Sequence, residues 1–149
     1  LLLQQNKTLS TAESCTGGYL AHLITAVAGS SAYYKGSVIS YANEVKQKVL
    51  GVQESTLETA GAVSEETVRQ MVKGALAVNH TDYAIATSGI MGPGGGSAEK
   101  PVGTVWVAVG DRREIVAEKF VLRFDRPRNI EITANFALNM LQRFLRRGE

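Results

Sequence analysis

Apolar positions recur along the chain at two spacings. Residues 8–12 hold β-branched and small side chains suited to a short strand. Residues 19–27 carry Leu20, Leu23, Ile24 and Val27 at i, i+3, i+4 and i+7, one face of a helix. Residues 35–41 read as a second strand centred on Val38 and Ile39, and Asn43 as the N-cap of a helix to Leu50, ended by Gly51. A short helix through Leu57 stops at Gly61. Ser64 caps the next helix, Glu65 and Glu66 suit its positive end, and Val68, Met71, Val72, Ala75 and Leu76 form its apolar face. Residues 83–87, 102–109 and 115–124 predict strands, the last two joined by a polar turn at 110–113. Asp125 caps a final amphipathic helix with Ile130, Ala134, Leu138, Leu141 and Leu145 inward. Strands alternating with helices, then a late hairpin, predict one α/β domain over residues 1–149. Its expected form is a three-layer α/β/α sandwich around a mixed, largely parallel sheet.

A chain of 149 residues can bury one sizeable core. No apolar run approaches membrane-spanning length, so a membrane partner is not expected. The net charge of +2 argues against a dedicated nucleic-acid binder but leaves room for a local basic pocket. One cysteine cannot form an internal disulfide, and two scattered histidines show no metal-ligand spacing. A reducing cytoplasm and a site without metal or cofactor are therefore expected. The chain opens on Leu1 rather than Met, and residues 1–6 read as the tail of a helix. A truncated or processed start is expected, with room for an upstream domain. Oligomeric state stays open, a homo-oligomer included.

Candidate chemistry concentrates in three turns that follow predicted strands. The first is Thr11-Ala12-Glu13-Ser14-Cys15-Thr16-Gly17-Gly18, which brings a hydroxyl, a thiol and two glycines to a helix start. Backbone N–H groups there would welcome an anion or a developing oxyanion. An ordinary βα turn of small residues is the plain alternative. The second turn follows Tyr41. The third is residues 88–97, Ser88-Gly89-Ile90-Met91-Gly92-Pro93-Gly94-Gly95-Gly96-Ser97, too glycine-rich for regular structure. If these strands run parallel, Ser14, Tyr41, Lys46 and Ser88 meet at one carboxyl-end rim. No turn carries a Walker pattern or a strict G-x-G-x-x-G.

Lys46 stands out among the charged residues. With Asn43 as N-cap it falls at N3, where the helix's positive end disfavours an ammonium. Partly buried, such a lysine has a lowered pKa and can act as base toward a hydroxyl; a solvated surface lysine is the other reading. Arg126 and Arg128 repeat the anomaly at the start of the last helix. A bound phosphate or carboxylate would explain them, as would solvation or pairing of Arg126 with Asp125 or Glu131. Cys15 could serve as nucleophile in place of Ser14, because a helix start favours thiolate. With no histidine in the pattern to activate it, a packed residue is the preferred reading. His22 and His80 are read as structural or solvated.

The motifs at 11–18, Gly61-Ala62-Val63-Ser64, residues 88–93 and Lys100-Pro101-Val102-Gly103-Thr104-Val105 together resemble the CinA C-terminal domain family. The resemblance runs from about Ser10 to the final helix. It implies a nicotinamide-nucleotide amidase, which converts nicotinamide mononucleotide and water to nicotinate mononucleotide and ammonia. It also implies Ser14 as nucleophile, Lys46 as catalytic lysine, and Tyr41 and Ser88 as ligand contacts. The family arginine best matches Arg126; Phe124 stands where a glycine is usual, so Arg128 remains a substitute. Amides of Thr16, Gly17 and Gly18 would then steady the oxyanion. The ribose phosphate would rest on the glycine loop, Gly89 and Gly92 included, or on Arg126 and Arg128. Members occur alone or behind a molybdopterin-binding-like domain. The rival readings are a non-catalytic nucleotide-binding or regulatory module and, from the family's name only, a DNA-uptake or damage-response domain.

Overall fold

The computed structural model describes residues 1–147. Its elements are α1 (Leu2–Gln5), β1 (Leu9–Glu13), α2 (Tyr19–Thr25), a 3-10 turn (Ser30–Ala32), β2 (Tyr34–Ile39), α3 (Asn43–Lys48), α4 (Glu54–Thr59), α5 (Glu65–Asn79), β3 (Tyr83–Gly89), β4 (Thr104–Gly110), β5 (Ile115–Val121) and α6 (Arg126–Leu145). The five strands form one sheet in the order β2-β1-β3-β4-β5. β1 pairs in parallel with β2 and β3, while β4 pairs antiparallel with β3 and β5. Every strand except β4 therefore points the same way, and the sheet is mixed, as the pattern predicts.

Side-chain alternation divides the core between the two faces of the sheet. Leu9, Ile85, Val105, Val107 and Val109 pack with Leu20 and Ile24 of α2 and with Ala134, Ala137, Met140 and Phe144 of α6. Ala12, Ala84, Ala86 and Ala108 face the other way, against Val68, Met71, Val72, Ala75 and Leu76 of α5. Alanines on that face let α5 lie close to the sheet. At Gly74 a Cβ would fall 2.0 Å from the carbonyl oxygen of Leu50, so only glycine lets α5 lie against the segment that follows α3.

Both predicted N-caps of the long helices form. Ser64 Oγ accepts from Thr67 N–H, and the Asp125 carboxylate accepts from Arg128 N–H. The inward stripe of α6 is rotated from the predicted one. Ala134 and Leu141 are buried, but the face centres on Thr133, Ala137, Met140 and Phe144, while Ile130, Leu138 and Leu145 are half-buried. Helix α2 ends at Thr25, which leaves Val27 exposed. Among the described residues no helix is long and apolar enough to cross a membrane, and no cluster of three His, Cys, Asp or Glu is placed to hold a metal ion.

Candidate active site

Parallel pairing of β2, β1 and β3 puts their carboxyl ends on one rim. Ser14 follows β1, Ser40 and Tyr41 follow β2, and Ser88 lies near the end of β3. The antiparallel β4 carries β5 back to the same rim, where it delivers the start of α6 and Arg126. A cleft of about 250 Å³ opens there. Ser14, Cys15, Tyr41, Lys46, Ser88, Gly89 and Arg126 line it, as do Gly94 and Gly95 of the glycine loop. Among the described residues no carboxylate lines this cleft and the Arg126 guanidinium does, so it suits an anionic ligand. A larger hollow of about 580 Å³, between α5 and the β4–β5 turn, is bordered by Arg69, Lys73, Arg112 and Arg113 but by no serine, threonine or cysteine.

Lys46 is only 1% exposed. Its Nζ lies 3.0 Å from Ser14 Oγ, 2.7 Å from the Ser40 carbonyl and 3.3 Å from the Tyr41 carbonyl. As an ammonium it donates to all three. As a neutral amine it donates to the two carbonyls, and its lone pair is left to accept the Ser14 hydroxyl. No carboxylate pairs with it among the described residues. Burial holds its pKa below the ordinary lysine value, opposed in part by Cys15.

The source of that shift differs from the sequence expectation. Ala42, extended at φ −85° and ψ 148°, is the N-cap, and Asn43 is already helical. Lys46 therefore lies in the last turn of α3, a helix of six residues. A helix that short exerts little dipole field, and at this position it would favour a cation. Desolvation, not the helix end, depresses Lys46.

The helix start beside Ser14 is also used differently. Gly17 N–H donates to the Ser14 carbonyl, and Gly18 N–H to Glu13 Oε1. Thr16 Oγ1 donates to Glu13 Oε1 at 2.6 Å and lies 2.9 Å from Thr87 Oγ1. The anion at this helix start is thus the chain's own Glu13 carboxylate. Thr16, Gly17 and Gly18 lie outside the cleft lining. Gly18, at φ +101°, is the N-cap of α2 and needs the conformational freedom of glycine. The amides of Cys15 and Thr16 have no oxygen partner among the described residues.

The remaining candidates separate clearly. Arg126 donates through Nη1 to the Gly92 carbonyl at 2.8 Å and through Nη2 to the Tyr41 hydroxyl at 3.0 Å. Gly92 is outside the lining and acts through that bond. Arg128 lies over the Phe124 ring, 5.6 Å from its centroid, and takes no part in the cleft. Ser88 is buried, and its hydroxyl donates to the Ala62 carbonyl at 2.8 Å. Burial pushes the Cys15 thiol up to about 12, although it lines the cleft beside Ser14. Sequence reasoning passed over Glu13 and Asn129. Asn129 is fully buried; its amide donates to the carbonyls of Met91 and Phe124 and accepts from Phe124 N–H, which fixes the wall of the cleft to α6.

The fold and site define an α/β domain with a buried serine–lysine pair at the carboxyl ends of parallel strands. The chain belongs to the CinA C-terminal domain family, whose model matches residues 1–145. It is 50% identical over 98% of its length to a CinA-like protein of Cytophaga hutchinsonii, of which it covers 35%. A CinA-like protein of Endomicrobium trichonymphae is 48% identical over 97% of the chain, which covers 34% of that protein. The chain thus spans about a third of the length of these curated relatives. Among solved structures, the competence damage-inducible protein A (ComA) of Klebsiella pneumoniae superposes with a TM-score of 0.95 at 37% identity, covering 99% of this chain and 92% of the other. The competence/damage inducible protein CihA of Agrobacterium tumefaciens does so with a TM-score of 0.92 at 42% identity, covering 94% and 86%.

Proposed function

We propose that this domain is a nicotinamide-nucleotide amidohydrolase that converts nicotinamide mononucleotide and water to nicotinate mononucleotide and ammonia. The observation that carries the reading is Lys46: buried, without a carboxylate partner among the described residues, its pKa depressed and its Nζ 3.0 Å from Ser14 Oγ. With its two N–H bonds held by the Ser40 and Tyr41 carbonyls, the neutral amine takes the Ser14 proton as Oγ attacks the amide carbon. The amide of Cys15, a residue that directly follows the nucleophile and lines the cleft, is the donor for the oxyanion. The tetrahedral intermediate collapses as Lys46 returns its proton to the leaving nitrogen, and ammonia departs. Water then gives a proton to Lys46 as it attacks the acyl ester, and Lys46 passes that proton to Ser14 Oγ as the acyl C–O bond breaks, which releases the nicotinate product and restores both Ser14 and the neutral amine. Arg126, together with Gly94 and Gly95, takes the 5′-phosphate in a cleft lined by no carboxylate among the described residues. Operation in the cytoplasm, behind a further domain or within a homo-oligomer, is compatible with this chemistry.

A non-catalytic nucleotide-binding module is the second reading. The three acceptors around Lys46 Nζ favour it, since they also satisfy an ammonium that merely holds the rim together. Incubation with nicotinamide mononucleotide and an ammonia assay decides. Release by the wild type and none by Ser14→Ala supports the amidase; binding without release leaves the module.

A further inference from the structure

The Glu13 carboxylate is fully buried and pairs with no lysine or arginine among the described residues. It receives hydrogen bonds from five groups instead. Oε1 accepts from Thr16 Oγ1 at 2.6 Å, Gly18 N–H at 3.2 Å and Leu20 N–H at 2.9 Å. Oε2 accepts from Ala21 N–H at 3.0 Å and Ser37 Oγ at 3.2 Å. One side chain thereby ties the start of α2 to strand β2. The backbone of the same residue reaches the other half of the site. Its carbonyl accepts from Ser40 N–H at 2.7 Å, and the Ser40 carbonyl accepts from Lys46 Nζ at 2.7 Å.

We infer that Glu13 is the positioning residue of the Ser14–Lys46 pair, its carboxylate fixing the turn that presents Ser14 while its carbonyl fixes the Ser40 rung that seats Lys46. The inference rests on reading that pair as reactive. Glu13 lies outside the cleft lining and touches no reacting group. It acts by direction: backbone N–H groups cannot turn, so the carboxylate must accept on both oxygens at once. A glutamine accepts on one oxygen only and turns an N–H₂ toward a donor. The turn must then shift, and Ser14, the next residue, shifts with it.

The test compares wild type, Glu13→Gln, Ser37→Ala and Thr16→Val. The measurements are melting temperature, crystallographic Ser14–Lys46 separation, and the pH-dependent rate at which a fluorophosphonate probe phosphonylates Ser14. In Glu13→Gln the plateau rate should fall about 10- to 100-fold, the effect of misplacing a reacting group by roughly 1 Å. The midpoint of the pH profile should stay with wild type, because Lys46 keeps its burial. Ser37→Ala and Thr16→Val, each removing one donor, should show smaller falls, and they carry the test if Glu13→Gln does not fold. A Glu13→Gln protein with the pair still in contact and a wild-type labelling rate overturns the inference. So does a fall in labelling that only tracks the loss of folded protein, or unchanged labelling in both donor variants. A wild type that labels at Ser14 but releases no ammonia from nicotinamide mononucleotide overturns the substrate reading and leaves this one standing. If wild-type Ser14 does not label, the nucleophile reading falls, and the Ser14–Lys46 separation in the variants decides the positioning role.

Discussion

Arg126 and Tyr41 meet across the mouth of the cleft, guanidinium Nη2 to phenol oxygen at 3.0 Å, although 85 residues separate them in the chain. The bond joins the segment after β2 to the first turn of α6, and the second bond of Arg126, to the Gly92 carbonyl, adds the glycine loop. Two of the five guanidinium donors are used, which leaves the rest for a ligand. If that ligand is the 5′-phosphate, Arg126→Ala should weaken nicotinamide mononucleotide more than its phosphate-free nucleoside. The expected difference is about 1.5–3 kcal/mol, the range for a hydrogen bond to a charged group. Arg128→Ala, which only uncovers Phe124, should leave both affinities unchanged. Calorimetric titration of the two ligands checks this, and equal weakening by Arg126→Ala moves the phosphate site to Gly94 and Gly95.

Ser14 and Cys15 adjoin in sequence and both line the cleft, but only Ser14 has a base within reach. Ser14→Ala should lower turnover by roughly 10³ or more, the scale for loss of a nucleophile. Cys15→Ala should stay active. With its pKa at about 12, the Cys15 thiol should resist iodoacetamide in the folded protein near neutral pH and react after unfolding. The sign of its effect on stability follows. The thiol ionises from 9.0 upward when unfolded and only near 12 when folded, so it lowers stability as pH climbs through that window. Denaturant melts of Cys15→Ala should lack this alkaline loss.

Asn129 holds the cleft wall from beneath. Removal of its amide leaves the Met91 carbonyl and both Phe124 backbone groups without partners. Asn129→Ala should destabilise by about 2–3 kcal/mol, the scale of buried groups left unsatisfied. Urea melts measure that loss. A substrate KM that rises while the folded enzyme keeps most of its kcat would mark the wall as loosened rather than the pair disturbed.

The periodic parts of this fold were legible in the sequence. The α5 stripe, both long-helix caps and the alternating strands followed from local spacing, and the strand order then placed Ser14, Tyr41, Lys46 and Ser88 on one rim. The misreadings have a common cause in tertiary burial. Asn43 is a good cap by type, but Ala42 holds the extended conformation, so the dipole argument for Lys46 fails although its depressed pKa stands. The α6 face is rotated because Thr133 and Asn129 are buried polar residues, which apolar spacing counts as outward. Glu13 was the least visible. A carboxylate at a strand end reads as solvated until α2 is known to turn its N–H groups back onto it.

Lys46 offers the sharpest test. Burial depresses its pKa, so the lysine protonates more readily in the unfolded chain than in the fold. Stability should therefore rise with pH between the depressed folded value and the ordinary lysine value of 10.5, and be lost as pH falls through the folded value. Lys46→Met removes the titrating group and should flatten that dependence. Activity should follow the same ionisation: the pH–rate curve rises as the neutral amine appears, with a midpoint below free lysine. Lys46→Arg keeps a cation at the rim but cannot release its proton at ordinary pH, so it should be nearly as inactive as Lys46→Met, with a loss of about 10²–10⁴ for a missing base. An ammonium that only holds the substrate by charge predicts the reverse. A folded Lys46→Arg enzyme with near-normal turnover would remove Lys46 from proton transfer and leave it as a strut between Ser14 and the Ser40 carbonyl.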